Sequence, residues 1–220
     1  MKTRRAFIKS VIGILTGATF SLAPFSVVVK NLYAKIKKIV LPKGTKRESL
    51  VDKNPAELDP RNLPITPLEE FGKMGLSEHV VDLREWRLEI EGHLKNPLKM
   101  TYEKIKALPS IKRKVLLICP GYFANYGEWE GISFKEIFKI CKAKSGITHV
   151  TVRGPSGPYG KTERFPMEDI VADKVFLAYN VNGKPLPEKH GFPLRIVAED
   201  RYGFEWVKFV YSVTVDKIEG

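Results

Sequence analysis

Val115-Leu116-Leu117-Ile118-Cys119-Pro120-Gly121 decides how this chain is read. A short, unbroken apolar run closed by a turn signal is the pattern of a strand buried on both faces. Pro-Gly then turns the backbone, so Cys119 stands at the end of a buried strand. Groups at strand ends carry chemistry because a rigid sheet positions them. Past the break, Tyr122, Phe123, Tyr126 and Trp129 read as an aromatic-rich loop.

Upstream, residues 86–92 (Trp-Arg-Leu-Glu-Ile-Glu-Gly) alternate apolar and polar, the period of a half-buried strand. Thr101 caps a short helix that Pro109 stops. Downstream, Ser133 opens a second helix to Lys142. Glu136 fits a capping box there, and Phe134, Ile137, Phe138 and Cys141 share one face. Strands are expected at 149–152, 175–179, 194–198 and 206–215, with a turn at Asn182-Gly183. Several strands, two short helices and no βαβ repeat describe an α+β fold built on mixed or antiparallel sheet.

The length of 220 residues suits one domain with a small appendage. At 43% hydrophobic and 28% charged residues, the composition excludes disorder, collagen and coiled coil. Two cysteines exclude a disulfide scaffold and a four-cysteine zinc site from one chain.

The N-terminus explains much of the +12 formal charge. Arg4-Arg5, then Phe7, Ile8 and Lys9, precede an uncharged stretch from Ser10 to Val29. This order matches a twin-arginine export signal and implies a periplasmic protein. Pro24 and several small residues make the stretch a mediocre membrane span, and no cleavage site is clear. Residues 1–34 are therefore a signal or a retained, uncleaved membrane anchor. They hold five cations and no acid, so without them +12 becomes +7. Residues 35–64, rich in Lys and Pro, read as an extended lead-in that wraps a domain spanning 65–220. No helix-turn-helix, zinc-finger or basic-aromatic RNA signature is present, so nucleic acid is not an expected partner.

Cys141 falls on the apolar helix face and is expected to pack as a small hydrophobe. Cys119, from position alone, reads as a nucleophile, a redox thiol, a soft-metal ligand or a second core cysteine. A disulfide with Cys141 after export is a further reading. No spacing links Cys119 to His79, His93, His149 or His190 as a catalytic pair. A thiol oxidoreductase would need a Cys-x-x-Cys motif, which is lacking. His190-Gly191-Phe192-Pro193-Leu194-Arg195 and Tyr202-Gly203-Phe204-Glu205-Trp206-Val207-Lys208 form a second cluster. Its His, Arg and Lys read equally as phosphate donors and as surface charge beside a turn. The glycine-rich run from Gly154 to Arg164 is not a Walker motif.

Taken in order, the Trp86–Gly92 segment, Leu-Ile-Cys119-Pro-Gly, Trp129-Glu-Gly131-Ile-Ser-Phe, Leu177-Ala-Tyr179 with Asn182-Gly183, His190-Gly-Phe-Pro-Leu-Arg195 and Tyr202-Gly-Phe resemble a known family. It is the molybdopterin-binding oxidoreductase domain of the sulfite oxidase superfamily. The nearest likeness is to exported bacterial relatives of the periplasmic methionine sulfoxide reductase catalytic subunit. The resemblance covers roughly residues 65–218 and implies the sulfite-oxidase-type fold, Mo-molybdopterin as cofactor, and oxygen-atom or two-electron transfer. It implies Cys119 as the molybdenum ligand and catalytic residue. It places the cofactor against Glu69, Glu70, Gly154, His190, Arg195, Trp206, Val207 and Lys208. Tyr122, Tyr126, Trp129, Arg153, Lys161 and Arg164 are candidates for the pocket wall.

Departures bear on the substrate. Phe123 stands where sulfite oxidases carry Arg, and Glu205 where the export branch commonly has Lys. The chain ends at Gly220 without a dimerisation domain, so a monomer is expected. The expected substrate is a small or protein-bound oxo compound such as an S-oxide or N-oxide. With no haem or iron–sulfur cysteine pattern, electrons are expected to pass through a membrane haem partner. The alternative is a cofactor-free periplasmic binding or assembly module retaining the fold.

Overall fold

The computed structural model describes residues 37–76 and 78–217. The expected signal or anchor over 1–34 lies outside the described residues. Among those described, no helix is long and apolar enough to cross a membrane.

Twelve strands and three short α-helices are present among the described residues. β1 (Ile39–Val40) and β2 (Leu58–Asp59) form a small parallel pair in the lead-in. β3 (Leu88–Gly92) and β4 (Leu98–Met100) are joined antiparallel, and α1 (Tyr102–Lys106) follows. β5 (Ser110–Cys119) and β6 (Phe123–Ile132) make a long hairpin, followed by α2 (Phe134–Cys141). Then come β7 (His149–Arg153), β8 (Thr162–Pro166), α3 (Met167–Val171), β9 (Val175–Val181), β10 (Lys184–Pro185), β11 (Arg195–Ala198) and β12 (Ser212–Asp216).

These strands form two five-stranded sheets. One is antiparallel in the order β10-β9-β6-β5, with β11 also paired to β9. The other is mixed, β4-β3-β12-β7-β8, with β3 and β12 parallel. This is the α+β architecture of mixed and antiparallel sheet that the sequence predicts. The larger core joins both sheets to the apolar face of α2, where Cys141 is fully buried. Both cysteines are free. Ser133 caps α2 by accepting from the Lys135 N–H at 3.1 Å. The Glu136 carboxylate pairs with Lys139 and so is engaged along the helix.

The hairpin explains the unbroken apolar run. Side chains alternate across a strand, so Leu117 and Cys119 face one way and Leu116 and Ile118 the other. Leu116 and Ile118, with Ala124 and Tyr126, pack against Leu41, Leu50, Leu58 and Leu63 of the lead-in. Burying a leucine stabilises by roughly 1.5–3 kcal/mol, so these four hold the lead-in to the back of the hairpin. Two 3-10 turns, Arg47–Leu50 and Pro55–Glu57, shape it where an extended run is expected.

Two expectations are corrected. The aromatic segment after Cys119 is strand β6, not a loop. Only Pro120-Gly121-Tyr122 turns, with Gly121 at φ +75 and the Tyr122 N–H donating to the Cys119 carbonyl at 3.0 Å. The strand expected from Trp206 begins only at Ser212. Phe209 adopts φ +53, which breaks the alternation, so Val207, Phe209 and Val210 are all buried. The segment bridges the sheets instead. Its Val207 carbonyl accepts from the Ile196 N–H, and the Tyr211 N–H donates to the Arg153 carbonyl.

Candidate active site and cofactor cleft

A cleft of about 290 Å³ opens at the end of the β5–β6 hairpin. Its walls are the segment Phe71–Leu76, the loop Pro158–Lys161, and the segment Gly203–Phe209 excluding Glu205 and Val207; Cys119, His190 and Arg195 also line it. Cys119 is presented by the last pair of the hairpin register, opposite Phe123. Burial pushes its thiol pKa up, and the nearby Lys208 charge opposes that shift. An anion on the sulfur thus has one local cation to favour it.

Arg195 is the most unusual group. It opens β11 and is only 3% exposed. Its Nη1 donates to the His190 carbonyl at 2.9 Å, and its guanidinium lies 5.1 Å from the Trp129 ring centre and 5.4 Å from that of Trp206. No carboxylate lies within ion-pair distance among the described residues. Burial alone depresses its pKa to about 9. A buried charge without a counter-ion is costly unless a partner neutralises it.

His190 is equally buried, and its Nε2 has no hydrogen-bond partner among the described residues. Burial first, then the charges of Arg195, Lys189, Lys208 and Lys73, lower its pKa to about 4, so it is neutral at pH 7. Lys208 is pushed down to about 8, first by burial and then by Arg195. Its Nζ donates to the Met74 carbonyl at 2.7 Å. The cleft wall carries Lys73, Lys161, Arg195 and Lys208 and no acid among the described residues.

Five of the nine expected site residues therefore meet in one cleft: Cys119, His190, Arg195, Trp206 and Lys208. The other four lie around it. Val207 sits behind, bonded to Ile196. Gly154 backs the rim: its N–H donates to the Lys161 carbonyl, and a side chain there would press on Tyr159 and Lys208 backbone. Glu69 and Glu70 are exposed outside the lining, with Glu70 paired to Arg47, while the adjoining Phe71 and Gly72 do line it.

Of the expected wall residues, Trp129 and Lys161 line the cleft. Tyr122 is 71% exposed outside it, and Tyr126 faces the back of the hairpin. Arg153 reaches Thr214, and Arg164 projects to solvent from β8. Asn125 was not anticipated. The alternation Phe123, Asn125, Gly127, Trp129 places it on the cleft face, a signal hidden once the segment is read as loop.

The cleft thus joins a thiol at a strand end, a buried arginine among further cations with no acid in the lining, and an orphaned imidazole nitrogen, a donor set that suits an anionic ligand. The chain belongs to the oxidoreductase molybdopterin binding domain family, which residues 75–219 match. The matched family is an oxidoreductase domain that binds molybdopterin, and this chain carries that domain. The chain is 28% identical over 137 residues to the uncharacterized oxidoreductase YuiH of Bacillus subtilis, covering 62% of this chain and 68% of that one. It is 25% identical over 143 residues to the protein-methionine-sulfoxide reductase catalytic subunit MsrP of Gluconobacter oxydans, covering 58% and 46%. It is 30% identical over 161 residues to nitrate reductase [NADH] 1 of Arabidopsis thaliana, covering 60% and only 18%. The sulfane dehydrogenase SoxCD of Paracoccus pantotrophus shares the fold, with a TM-score of 0.59 at 19% identity over 90% of this chain and 55% of that one. The chain thus spans about half of the SoxCD and MsrP chains and under a fifth of nitrate reductase.

The residues present fit the cofactor. The guanidinium without a counter-ion and the unpartnered His190 Nε2 share one cleft with the thiol of Cys119.

Proposed function

We propose that this chain is an exported member of the family that holds molybdenum through Cys119 and carries out oxygen-atom or two-electron transfer. Its substrate is an S-oxide or N-oxide type of oxo compound, small or protein-bound. The observation that carries this reading is the counter-ion-free Arg195 lying in the same cleft as Cys119. When bound, the cofactor supplies the two-electron redox chemistry; the protein sets its orientation, access and electrostatics.

Arg195 offers a planar fork and Lys208 a point charge to the cofactor's anionic group. Neutral His190 adds one more hydrogen bond at its free nitrogen. Trp129 and Trp206 flank the guanidinium and keep water from it, which strengthens each charged contact. Cys119 would supply the soft sulfur ligand, with Lys208 offsetting part of the burial that holds its thiol protonated. Phe123, opposite Cys119 in the hairpin register, and Phe204 add apolar surface to the cleft. Arg4-Arg5 and the uncharged stretch behind them support export. Two cysteines leave no iron–sulfur set in the chain, which supports a separate membrane haem partner for the electrons.

The test is molybdenum per chain by elemental mass spectrometry, for wild type and Cys119→Ala, expressed with the signal in a molybdopterin-competent host. The expected ratio is near one in the wild type and sharply lower in the variant. A well-folded wild type without molybdenum overturns the reading and favours a cofactor-free binding module.

A further inference from the structure

We infer that Asn125 is a positioning residue of the cleft, acting through Gly72; the inference rests on the cleft being the cofactor site. Asn125 is 3% exposed on the cleft face of β6. Its Oδ1 accepts from the Gly72 N–H at 3.2 Å, and its Nδ2 donates to the Gly72 carbonyl at 3.3 Å. The carboxamide therefore takes both backbone groups of one residue, as a neighbouring strand would. Phe123 closes over the same point: a Cβ on Gly72 would lie 2.2 Å from its ring. Only glycine allows that approach.

What this clamp holds is the strap Phe71–Leu76, which forms one wall of the cleft. Phe71 sets its ring 5.9 Å from Trp129 and 5.8 Å from His190, edge-on to the imidazole. Two residues past Gly72, the Met74 carbonyl takes the Lys208 ammonium. Asn125 thus fixes the strap between two groups of the anion seat, His190 on one side and Lys208 on the other. Without the clamp, the Gly72 N–H and carbonyl lose their partners beside apolar rings, and the strap lifts to satisfy them with water. His190 and Lys208 then lose the contacts that orient them.

A core-filling role and a clamping role make opposite predictions for Asn125→Leu, which keeps the volume and removes both bonds. If Asn125 only fills space, leucine is tolerated in a buried site. If it clamps, backbone hydrogen exchange over residues 71–76 rises roughly tenfold, the factor of about one hydrogen bond. Exchange in β9 stays unchanged, and molybdenum retained per chain after dialysis falls several-fold. Asn125→Asp keeps the acceptor for the Gly72 N–H and is expected to fall between wild type and Asn125→Leu on both readouts. Gly72→Ala, which loosens the same contact from the other side, is expected to be non-additive with Asn125→Leu. Unchanged strap exchange in a folded Asn125→Leu protein, or full additivity with Gly72→Ala, overturns the inference. A wild type that binds no molybdenum overturns the cofactor reading instead and leaves the exchange result to stand or fall by itself.

Discussion

The two faces of the β5–β6 hairpin treat charge in opposite ways. On the back, the cations beside the lead-in have carboxylates: Lys38 and Lys174 pair with Asp200, and Arg61 with Asp59. On the cleft face, Arg195 is more deeply buried, yet it rests on a backbone carbonyl and aromatic rings, and half-buried Lys208 rests on another carbonyl. Cations whose counter-ions are built in serve the fold. Cations left without them, where burial makes that costly, are kept for an anion from outside.

The contrast breaks most visibly at the back. Leu50→Ala empties a site that is 2% exposed and is expected to cost about 2–5 kcal/mol in denaturant unfolding. Molybdenum per folded chain should hold steady. If it falls in step with stability, the two faces are not separable.

The pH dependence of the cofactor-free chain comes next. His190 has a folded pKa near 4, below its unfolded value of about 6.5, so the unfolded state binds the proton first. Stability therefore rises with pH between about 4 and 6.5, by up to roughly 3 kcal/mol. Lys208, lowered to about 8, adds a second rise between about 8 and 10.5 by the same sign. Urea midpoints across pH check both. A bound anion should flatten both rises, because it favours the protonated forms.

Arg195→Met is expected to weaken cofactor retention by about 10- to 100-fold, the worth of a charge-assisted hydrogen bond. The thermal midpoint of the cofactor-free variant should not fall, since a buried, uncompensated charge is gone. A large loss of stability would show that Arg195 serves the fold after all. The smallest effect belongs to the back face: Lys38→Met removes a partly exposed pair and should cost no more than about 1 kcal/mol, with no change in molybdenum.

Much of the fold was legible because its signals are local. The alternation over 86–92, the Ser133 cap and the run 115–118 each describe themselves within a few residues, and β3, α2 and β5 answer to them. Strand β6 was not legible as a strand. Its Gly127 and Gly131 dilute the pattern, and its pairing to β9 draws on residues some fifty positions away. The run from 206 was misread because one residue, Phe209 at φ +53, reverses the facing of its neighbours.

The site divides the same way. Sequence alone determined that a cysteine ends a buried strand before a Pro-Gly break, and that His190, Arg195 and Lys208 cluster far along the chain. It also determined the order of motifs that marks the family. Tertiary structure alone decided that Arg195 and Lys208 lack counter-ions among the described residues, that Trp129 faces the cleft while Tyr126 faces the lead-in, and that Asn125 closes on Gly72 across 53 positions. The physical reason is range. Strand period and turn chemistry are set by neighbours in the chain, whereas burial and charge pairing depend on which distant segment arrives to cover each face.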